Sequence, residues 1–106
     1  MDKIWYIYIL ECKDGMLYTG ITDNVQKRLA AHNAGKGAKF TRGRGPLILR
    51  YQETCESHSA ALQREIQIKR LKRAEKLELI EKYDHYKDKP QEAIELLLEA
   101  RHCKRI

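Results

Sequence analysis

Apolar residues form two short runs near the start of the chain, and a polar turn separates them. The first run, Ile4–Glu11, is rich in β-branched and aromatic residues and shows no regular alternation with polar residues. This pattern predicts a central strand that is covered on both faces. The second run, Met16–Thr22, also reads as a strand. Because Asp14-Gly15 between the runs is typical of a β-hairpin, we expect the two strands to pair antiparallel.

The length of the hairpin loop decides whether Tyr8 and Tyr18 share a face of the sheet. A two-residue loop would place the two tyrosines on opposite faces. A three-residue loop of residues 13–15 would place them on one face, with Gly20 opposite Tyr8. We predict the three-residue loop, because it puts Gly15 at the bulge position that requires a positive φ. Gly20 would then leave open space beside the Tyr8 ring.

A helix is predicted directly after the hairpin. Asp23 is a suitable N-cap, Gln26 would complete a capping box, and Gly35 would end the helix. Arg28 and His32 then lie one turn apart, beside the apolar stripe of the helix. Considered singly, a surface arginine and a partly exposed histidine are the simplest interpretation of these two residues.

A third strand is predicted over Leu47–Thr54, with Leu49 and Tyr51 on the same face. A helix follows from Ser57 or Ser59 to Lys72. Its apolar residues form a broad arc on a helical wheel. They are Ala61, Leu62, Ile66, Ile68 and Leu71.

Glu65 falls inside this apolar arc, where a carboxylate is costly unless a cation meets it. One candidate cation is Lys69, four residues later on the same helix. The other is a bound divalent metal ion. Helix geometry gives the two alternatives equal weight.

The remaining sequence is typical of a helical scaffold. Leu77 and Tyr83 suit one helix, and Pro90 is suited to begin a last helix that contains Leu96–Leu98. A chain of 106 residues is expected to form one domain, with a core over about residues 4–80 and a C-terminal helical extension over 81–106. No apolar run approaches the roughly 20 residues of a membrane span, and the N-terminus lacks a signal-peptide pattern. We therefore expect a cytoplasmic monomer with no membrane partner.

The placement of charge is more informative than the net charge of +6. Between Asp23 and Glu53 there is no acidic residue, whereas seven residues are basic. This basic block consists of Lys27, Arg28, Lys36, Lys39, Arg42, Arg44 and Arg50. Its seven charges exceed the net charge, so the rest of the chain sums to −1. A block of one sign is typical of a surface that binds a polyanion, and nucleic acid is the commonest one.

The connection Gly35–Pro46 contains four glycines and four basic residues around Phe40. Because glycine loses the most entropy on ordering, no stable element is expected here. We interpret the connection as a flexible flap that reaches phosphates, with Phe40 available to stack on a base. An ordinary solvated connection is the alternative.

Tyr6-Ile7-Tyr8, Tyr18-Thr19-Gly20, Arg28 and Glu65, in this order and spacing, resemble the GIY-YIG nuclease domain. The chain is similar to the small single-domain bacterial GIY-YIG proteins related to excinuclease, over about residues 4–80. It departs from the family pattern at Tyr6, where the pattern has its first glycine, and at Thr19, where it has its second isoleucine.

The resemblance implies an α+β fold in which helices flank a central three-stranded antiparallel sheet. It also implies a metal-dependent DNA endonuclease that hydrolyses phosphodiester bonds in repair or recombination. The implied site has catalytic Tyr8, Tyr18, Arg28 and His32, a structural Gly20, and Glu65 as the ligand of one Mg²⁺ or Mn²⁺ ion. The expected contacts to DNA, branched or otherwise structured DNA included, come from Lys27, Lys36, Lys39, Phe40, Arg42 and Arg44.

The chemistry of these residue types fits hydrolysis of a phosphodiester. A tyrosine, with a pKa of about 10, is a poor base at neutral pH unless a nearby cation lowers that pKa. Arg28 could do this for Tyr8 or Tyr18 and also neutralise the phosphate, while His32 could accept or relay the proton. The sequence leaves open which tyrosine faces the attacking water. A nucleic-acid-binding module with little activity, and an adaptor that docks a partner through Leu96–Leu98, are the competing functions.

Overall fold

A three-stranded antiparallel sheet forms the centre of the structure, a computed structural model that describes residues 3–86. The strands are β1 (Trp5–Glu11), β2 (Leu17–Thr22) and β3 (Ile48–Cys55). Their order across the sheet is β2-β1-β3, so β1 is the central strand, as its composition predicts.

Three helices accompany the sheet. They are α1 (Val25–Asn33), α2 (His58–Lys69) and α3 (Arg73–Tyr86). A single-turn 3-10 helix, Lys39–Thr41, lies in the connection between α1 and β3. The α+β fold with a helix-flanked antiparallel sheet is thus the one expected. Within residues 3–86, no helix combines the length and the apolar character needed to cross a membrane.

The hairpin has the predicted three-residue loop. Tyr8 pairs with Gly20 and Leu10 with Tyr18, so both tyrosines lie on one face of the sheet. The loop closes through a hydrogen bond of 2.8 Å from the Cys12 N–H to the Met16 carbonyl. Gly15 has a φ of +85°, the conformation that the bulge position requires.

The two faces of β1 belong to two separate hydrophobic clusters. Ile7 and Ile9 pack with Ala61, Ile68 and Ile80 of α2 and α3. Tyr8, Leu10, Cys12 and Leu47 form the other cluster, against which Leu29 of α1 packs. Because β1 is covered on both faces, its polar tyrosine hydroxyl at Tyr8 requires a partner inside the protein.

The first helix begins one residue later than predicted. Its N-cap is Asn24, whose side-chain oxygen accepts a hydrogen bond of 3.1 Å from the Lys27 N–H. Asp23 instead forms an exposed ion pair of 3.3 Å with Lys3. The reason is local: the Thr22 hydroxyl accepts from the Asn24 N–H at 3.1 Å, and this turn leaves Asn24 at the capping position. The helix ends at Asn33, and Gly35 has a φ of +76°, in agreement with its predicted role as terminator.

A β-bulge changes the faces of β3. Leu10 pairs with Leu49 and Ile9 with Tyr51, so one extra residue, Arg50, lies between the two pairs. Leu49 therefore packs in the cluster of Leu10 and Tyr51 in that of Ile9, and the prediction that they share a face is wrong. Alternation alone cannot reveal a bulge, because the extra residue shifts the period without an obvious sequence signal.

The buried face of α2 differs from the predicted apolar arc. The helix is capped by Ser57, which accepts from the Ala60 N–H at 3.0 Å, and it ends at Lys69 rather than Lys72. Leu62 and Ile66 are exposed, at 41% and 51% of their maximal accessible surface.

Arg64 is buried in their place, because it meets the carboxylate of Glu53 on β3. Its Nε donates to one Glu53 oxygen at 2.8 Å and its Nη2 to the other at 3.1 Å. The Tyr51 hydroxyl donates to the same carboxylate at 2.7 Å. Glu53 is 3% exposed, so this bidentate pair lies within the protein.

The break between α2 and α3 comes from a side-chain cap. The Lys72 N–H donates to the Glu75 side chain at 2.9 Å, which is half of a capping box at the start of α3. The helix predicted from Pro90, with Leu96–Leu98, lies outside the described residues.

We predict that Arg64→Met lowers the free energy of unfolding by about 3–5 kcal/mol, because it removes two hydrogen bonds and the cation from a buried carboxylate. Urea unfolding measures the loss. Arg73→Met, on the exposed first turn of α3, is the matched control and should change stability by less than about 0.5 kcal/mol. Replacing both Glu53 and Arg64 by leucine should recover much of the loss. A cost below about 1 kcal/mol for Arg64→Met would contradict this account.

Candidate active site

Tyr8 and His32 form the buried centre of the site. The Tyr8 hydroxyl oxygen lies 3.0 Å from His32 Nε2, and each residue is only 2% exposed. Tyr8 reaches α1 because it extends across Gly20 of the neighbouring strand. A Cβ atom at Gly20 would lie 2.5 Å from the Tyr8 hydroxyl oxygen and 3.1 Å from the Tyr18 ring. The open space predicted at Gly20 is therefore filled by the Tyr8 hydroxyl end, and glycine is required there.

The second nitrogen of His32 is bound by a residue that the sequence pattern did not single out as functional. His32 Nδ1 lies 2.8 Å from the Thr41 hydroxyl oxygen, and Thr41 is 1% exposed. Gly37 covers the same imidazole, because a Cβ at Gly37 would lie 2.2 Å from Nδ1. His32 is thus enclosed rather than partly exposed. Thr41 is the only hydroxyl residue in Gly35–Pro46, which is the one sequence signal that could have identified it.

Tyr18 and Phe40 extend the site towards the surface. The Tyr18 ring lies edge-on to His32, with ring centroids 5.3 Å apart, and is stacked on Phe40 at 5.9 Å. Phe40 is 38% exposed, and the Arg44 guanidinium carbon lies 4.5 Å from its ring centroid. Phe40 therefore already has an aromatic and a cationic partner inside the protein.

The electrostatics of the site keep Tyr8 and His32 uncharged. Burial raises the pKa of Tyr8 above its ordinary value, and the negative charge of Glu65 acts in the same direction. Arg28 lowers the pKa of Tyr8 through a hydrogen bond and its charge, as anticipated, but it does not outweigh burial. Burial, followed by the charge of Arg28, lowers the pKa of His32. At neutral pH the pair is therefore a phenol and a neutral imidazole.

Glu65 lies on α2 at the edge of this group, near enough for its charge to act on Tyr8. Its side chain is 20% exposed and forms an ion pair of 3.6 Å with Lys69, whose side chain is 52% exposed. The ion-pair alternative is thus present, but with an exposed surface partner that a metal ion could displace. Among residues 3–86, no three His, Cys, Asp or Glu side chains converge as metal ligands. The residues present fit a Mg²⁺ or Mn²⁺ ion held by one carboxylate, with water and phosphate oxygens as its remaining ligands.

The basic block divides into two kinds of residue. Lys27, Lys36, Lys39 and Arg42 are exposed. Arg44, in contrast, forms an ion pair with Asp14 in the hairpin loop, and its carbonyl accepts from the Lys13 N–H at 2.8 Å.

These contacts fix a connection for which no stable element is predicted. The Asn33 side chain adds two hydrogen bonds to the backbone of Leu47, at 2.7 and 3.2 Å, where the connection ends. The 3-10 helix Lys39–Thr41 is held from both sides as a result, although its glycine content suggests a flap.

Comparison with known proteins agrees with this geometry. Residues 4–89 match the family model of the GIY-YIG catalytic domain. The chain is 55% identical over 76 residues to the UPF0213 protein SH2523 of Staphylococcus haemolyticus, an alignment that covers 72% of this chain and 93% of that protein. It is 55% identical over 71 residues to the UPF0213 protein VNG_2274C of Halobacterium salinarum, which covers 67% and 92%.

A solved structure is also similar. The solution NMR structure of the protein EF2693 from E. faecalis superposes with a TM-score of 0.54 at 36% sequence identity, over 78% of this chain and 88% of that one. The family match includes every residue of the Tyr8–His32 centre and Glu65. The chain therefore belongs to the GIY-YIG family, a family of nuclease domains.

Proposed function

We propose that this protein is a divalent-metal-dependent endonuclease that hydrolyses phosphodiester bonds in DNA. The observation that carries the proposal is the buried hydrogen bond of 3.0 Å between the Tyr8 hydroxyl and His32 Nε2. A phenol in contact with a neutral imidazole has an internal proton acceptor. This removes the main objection to tyrosine as a base at neutral pH, which is its high pKa.

In the proposed reaction, Tyr8 gives its proton to His32 Nε2, and the resulting phenolate takes a proton from water as the water oxygen attacks phosphorus. Arg28 stabilises the phenolate and neutralises the phosphate. Tyr18 has a more exposed ring than Tyr8, so we assign it the positioning of the water or phosphate. This choice gives the proton-transfer role to Tyr8.

Glu65 is the residue that would hold the divalent ion. When bound, the ion would supply Lewis-acid stabilisation of the leaving oxygen. Phosphate binding is assigned to the exposed basic residues Lys27, Lys36, Lys39 and Arg42. Arg44 contributes through the shape of the connection, because its side chain is engaged by Asp14 and Phe40.

A nucleic-acid-binding module of the same fold is the second candidate. The observation that favours it is the same burial: Tyr8 and His32 are each 2% exposed, so an attacking water must enter the site from the side of Tyr18 and Arg28. The two candidates differ in what they require of Glu65, since binding to the basic surface does not involve this carboxylate.

We predict that Glu65→Gln reduces Mg²⁺-dependent nicking of DNA by orders of magnitude, because it removes the ligand's charge and keeps its shape. Its effect on the free energy of unfolding should be under about 1 kcal/mol, since the lost ion pair is partly exposed. Nicking, DNA affinity and the thermal midpoint are measured in parallel.

Lys69→Met is the matched control for this experiment. It breaks the same ion pair but keeps the carboxylate, so nicking should persist. Equal nicking by the parent and Glu65→Gln would eliminate the metal role. No nicking by the parent on duplex, flapped or branched DNA would favour the binding module.

We also predict that affinity for duplex DNA falls with salt with a log–log slope of about −4, the value for about four or five phosphate contacts. Joint replacement of Lys36, Lys39 and Arg42 by alanine should bring the slope about three units closer to zero. Arg44 is left intact because its replacement would also disturb the connection.

The control for the salt experiment carries the same change in charge elsewhere. Arg70, Arg73 and Lys82 are exposed residues of the α2–α3 region, and their joint replacement by alanine should leave the slope within about one unit of the parent. A slope near zero in the parent protein would remove nucleic acid as its main partner.

A further inference from the structure

The hydrogen bonds around His32 run in one direction, and Thr41 sets that direction. The Thr41 hydroxyl lies 2.9 Å from the Ala38 carbonyl oxygen and donates to it, because a carbonyl can only accept. A hydroxyl has one proton. Towards His32 Nδ1, at 2.8 Å, the Thr41 oxygen therefore acts as the acceptor, and Nδ1 carries the hydrogen.

The opposite direction is unfavourable at both ends of this series. If Thr41 donated to Nδ1, its oxygen and the Ala38 carbonyl oxygen would face each other at 2.9 Å without a proton between them. At the other end, Nε2–H of His32 would donate to Tyr8. The Tyr8 oxygen already accepts from Arg28, which has only donors, so the Tyr8 proton would lose its acceptor.

We propose that Thr41 is a positioning residue that holds His32 in the Nδ1–H tautomer, so that Nε2 is free to accept the Tyr8 proton. The proposal rests on the function proposed above and deepens it. In the transfer, the O–H bond of Tyr8 breaks and an N–H bond forms at Nε2. The electron pair stays on the Tyr8 oxygen, and His32 becomes an imidazolium that still donates through Nδ1 to Thr41.

The position of Thr41 also connects DNA binding with this proton transfer. Thr41 shares the single turn Lys39–Thr41 with Lys39 and Phe40, which are exposed. Gly37 in the same connection lies against the imidazole, so the backbone cannot move inward without meeting the ring. A phosphate that binds Lys39 thus acts on the element that orients His32.

The first test determines the tautomer without any substrate. Imidazole ¹⁵N shifts distinguish a protonated from a bare ring nitrogen, and the His32 signals are those lost in His32→Gln. We expect Nδ1–H in the parent protein and in Thr41→Ser, which keeps the hydroxyl. In Thr41→Val, which has nearly the same shape without the hydroxyl, we expect this preference to be lost. Nε2–H in the parent, or an unchanged tautomer in Thr41→Val, would overturn the proposal.

The second test compares kcat and KM for DNA cleavage. Thr41→Val should lower kcat by about 100-fold, near the lower end of what a positioned acid–base group contributes, with KM nearly unchanged. Thr41→Ser should retain most of kcat. A parent-like kcat in Thr41→Val, despite an altered tautomer, would refute the positioning role.

The two tests separate this proposal from the proposed function. If the parent does not cleave DNA but shows Nδ1–H that Thr41→Val loses and Thr41→Ser keeps, the nuclease assignment fails, whereas the control of the tautomer by Thr41 is supported. Circular dichroism of both variants checks the fold. Thr41→Ser keeps the test decisive if Thr41→Val does not fold, because loss of Nδ1–H in this variant would contradict the dependence on the hydroxyl.

Discussion

The complete burial of β1 is the constraint on which the rest of the structure depends. Strands on both edges satisfy its backbone, and its side chains enter two separate clusters, Ile7 and Ile9 on one face and Tyr8 and Leu10 on the other. A tyrosine in such a strand must find an internal partner for its hydroxyl, because an unsatisfied buried hydroxyl is costly. His32 meets that need for Tyr8. The acid–base pair of the site is therefore also the solution to a packing requirement of the central strand.

The two faces of the sheet solve their polar problems differently. On the face of α2 and α3, Glu53 is matched by Arg64 with two short bonds, and full charges are neutralised in place. On the face of α1, Tyr8, His32 and Thr41 are linked as neutral groups, with Arg28 beside them. An ion pair of fixed geometry resists change, whereas a series of neutral hydrogen bonds can shift a proton without moving heavy atoms. This difference suits a structural role for the first group and a chemical role for the second.

The features that depend on local chemistry were predictable from the sequence, and those that depend on contacts between elements were not. Asp14-Gly15 and strand periodicity were sufficient to predict the register that places Tyr8 opposite Gly20. The bulge at Arg50 and the burial of Arg64 follow from pairing with β1 and from Glu53, which no helical wheel represents. Thr41 was missed because its partner, His32, lies nine residues earlier on another element, and the glycines around it suggested disorder.

Burial has opposite effects on the two members of the acid–base pair, and this decides what the rest of the site must do. It raises the pKa of Tyr8 and lowers that of His32, so it opposes transfer of the proton between them. Arg28 lowers both pKa values, and its effects on the transfer therefore partly cancel. Glu65 acts on Tyr8 alone, in the direction that holds the proton on the phenol. Neutralising the charge of Glu65 with a bound cation would reverse this one unbalanced effect and favour the phenolate. The carboxylate thus keeps Tyr8 protonated while it pairs only with Lys69, and cation binding at the same carboxylate would favour proton transfer to His32.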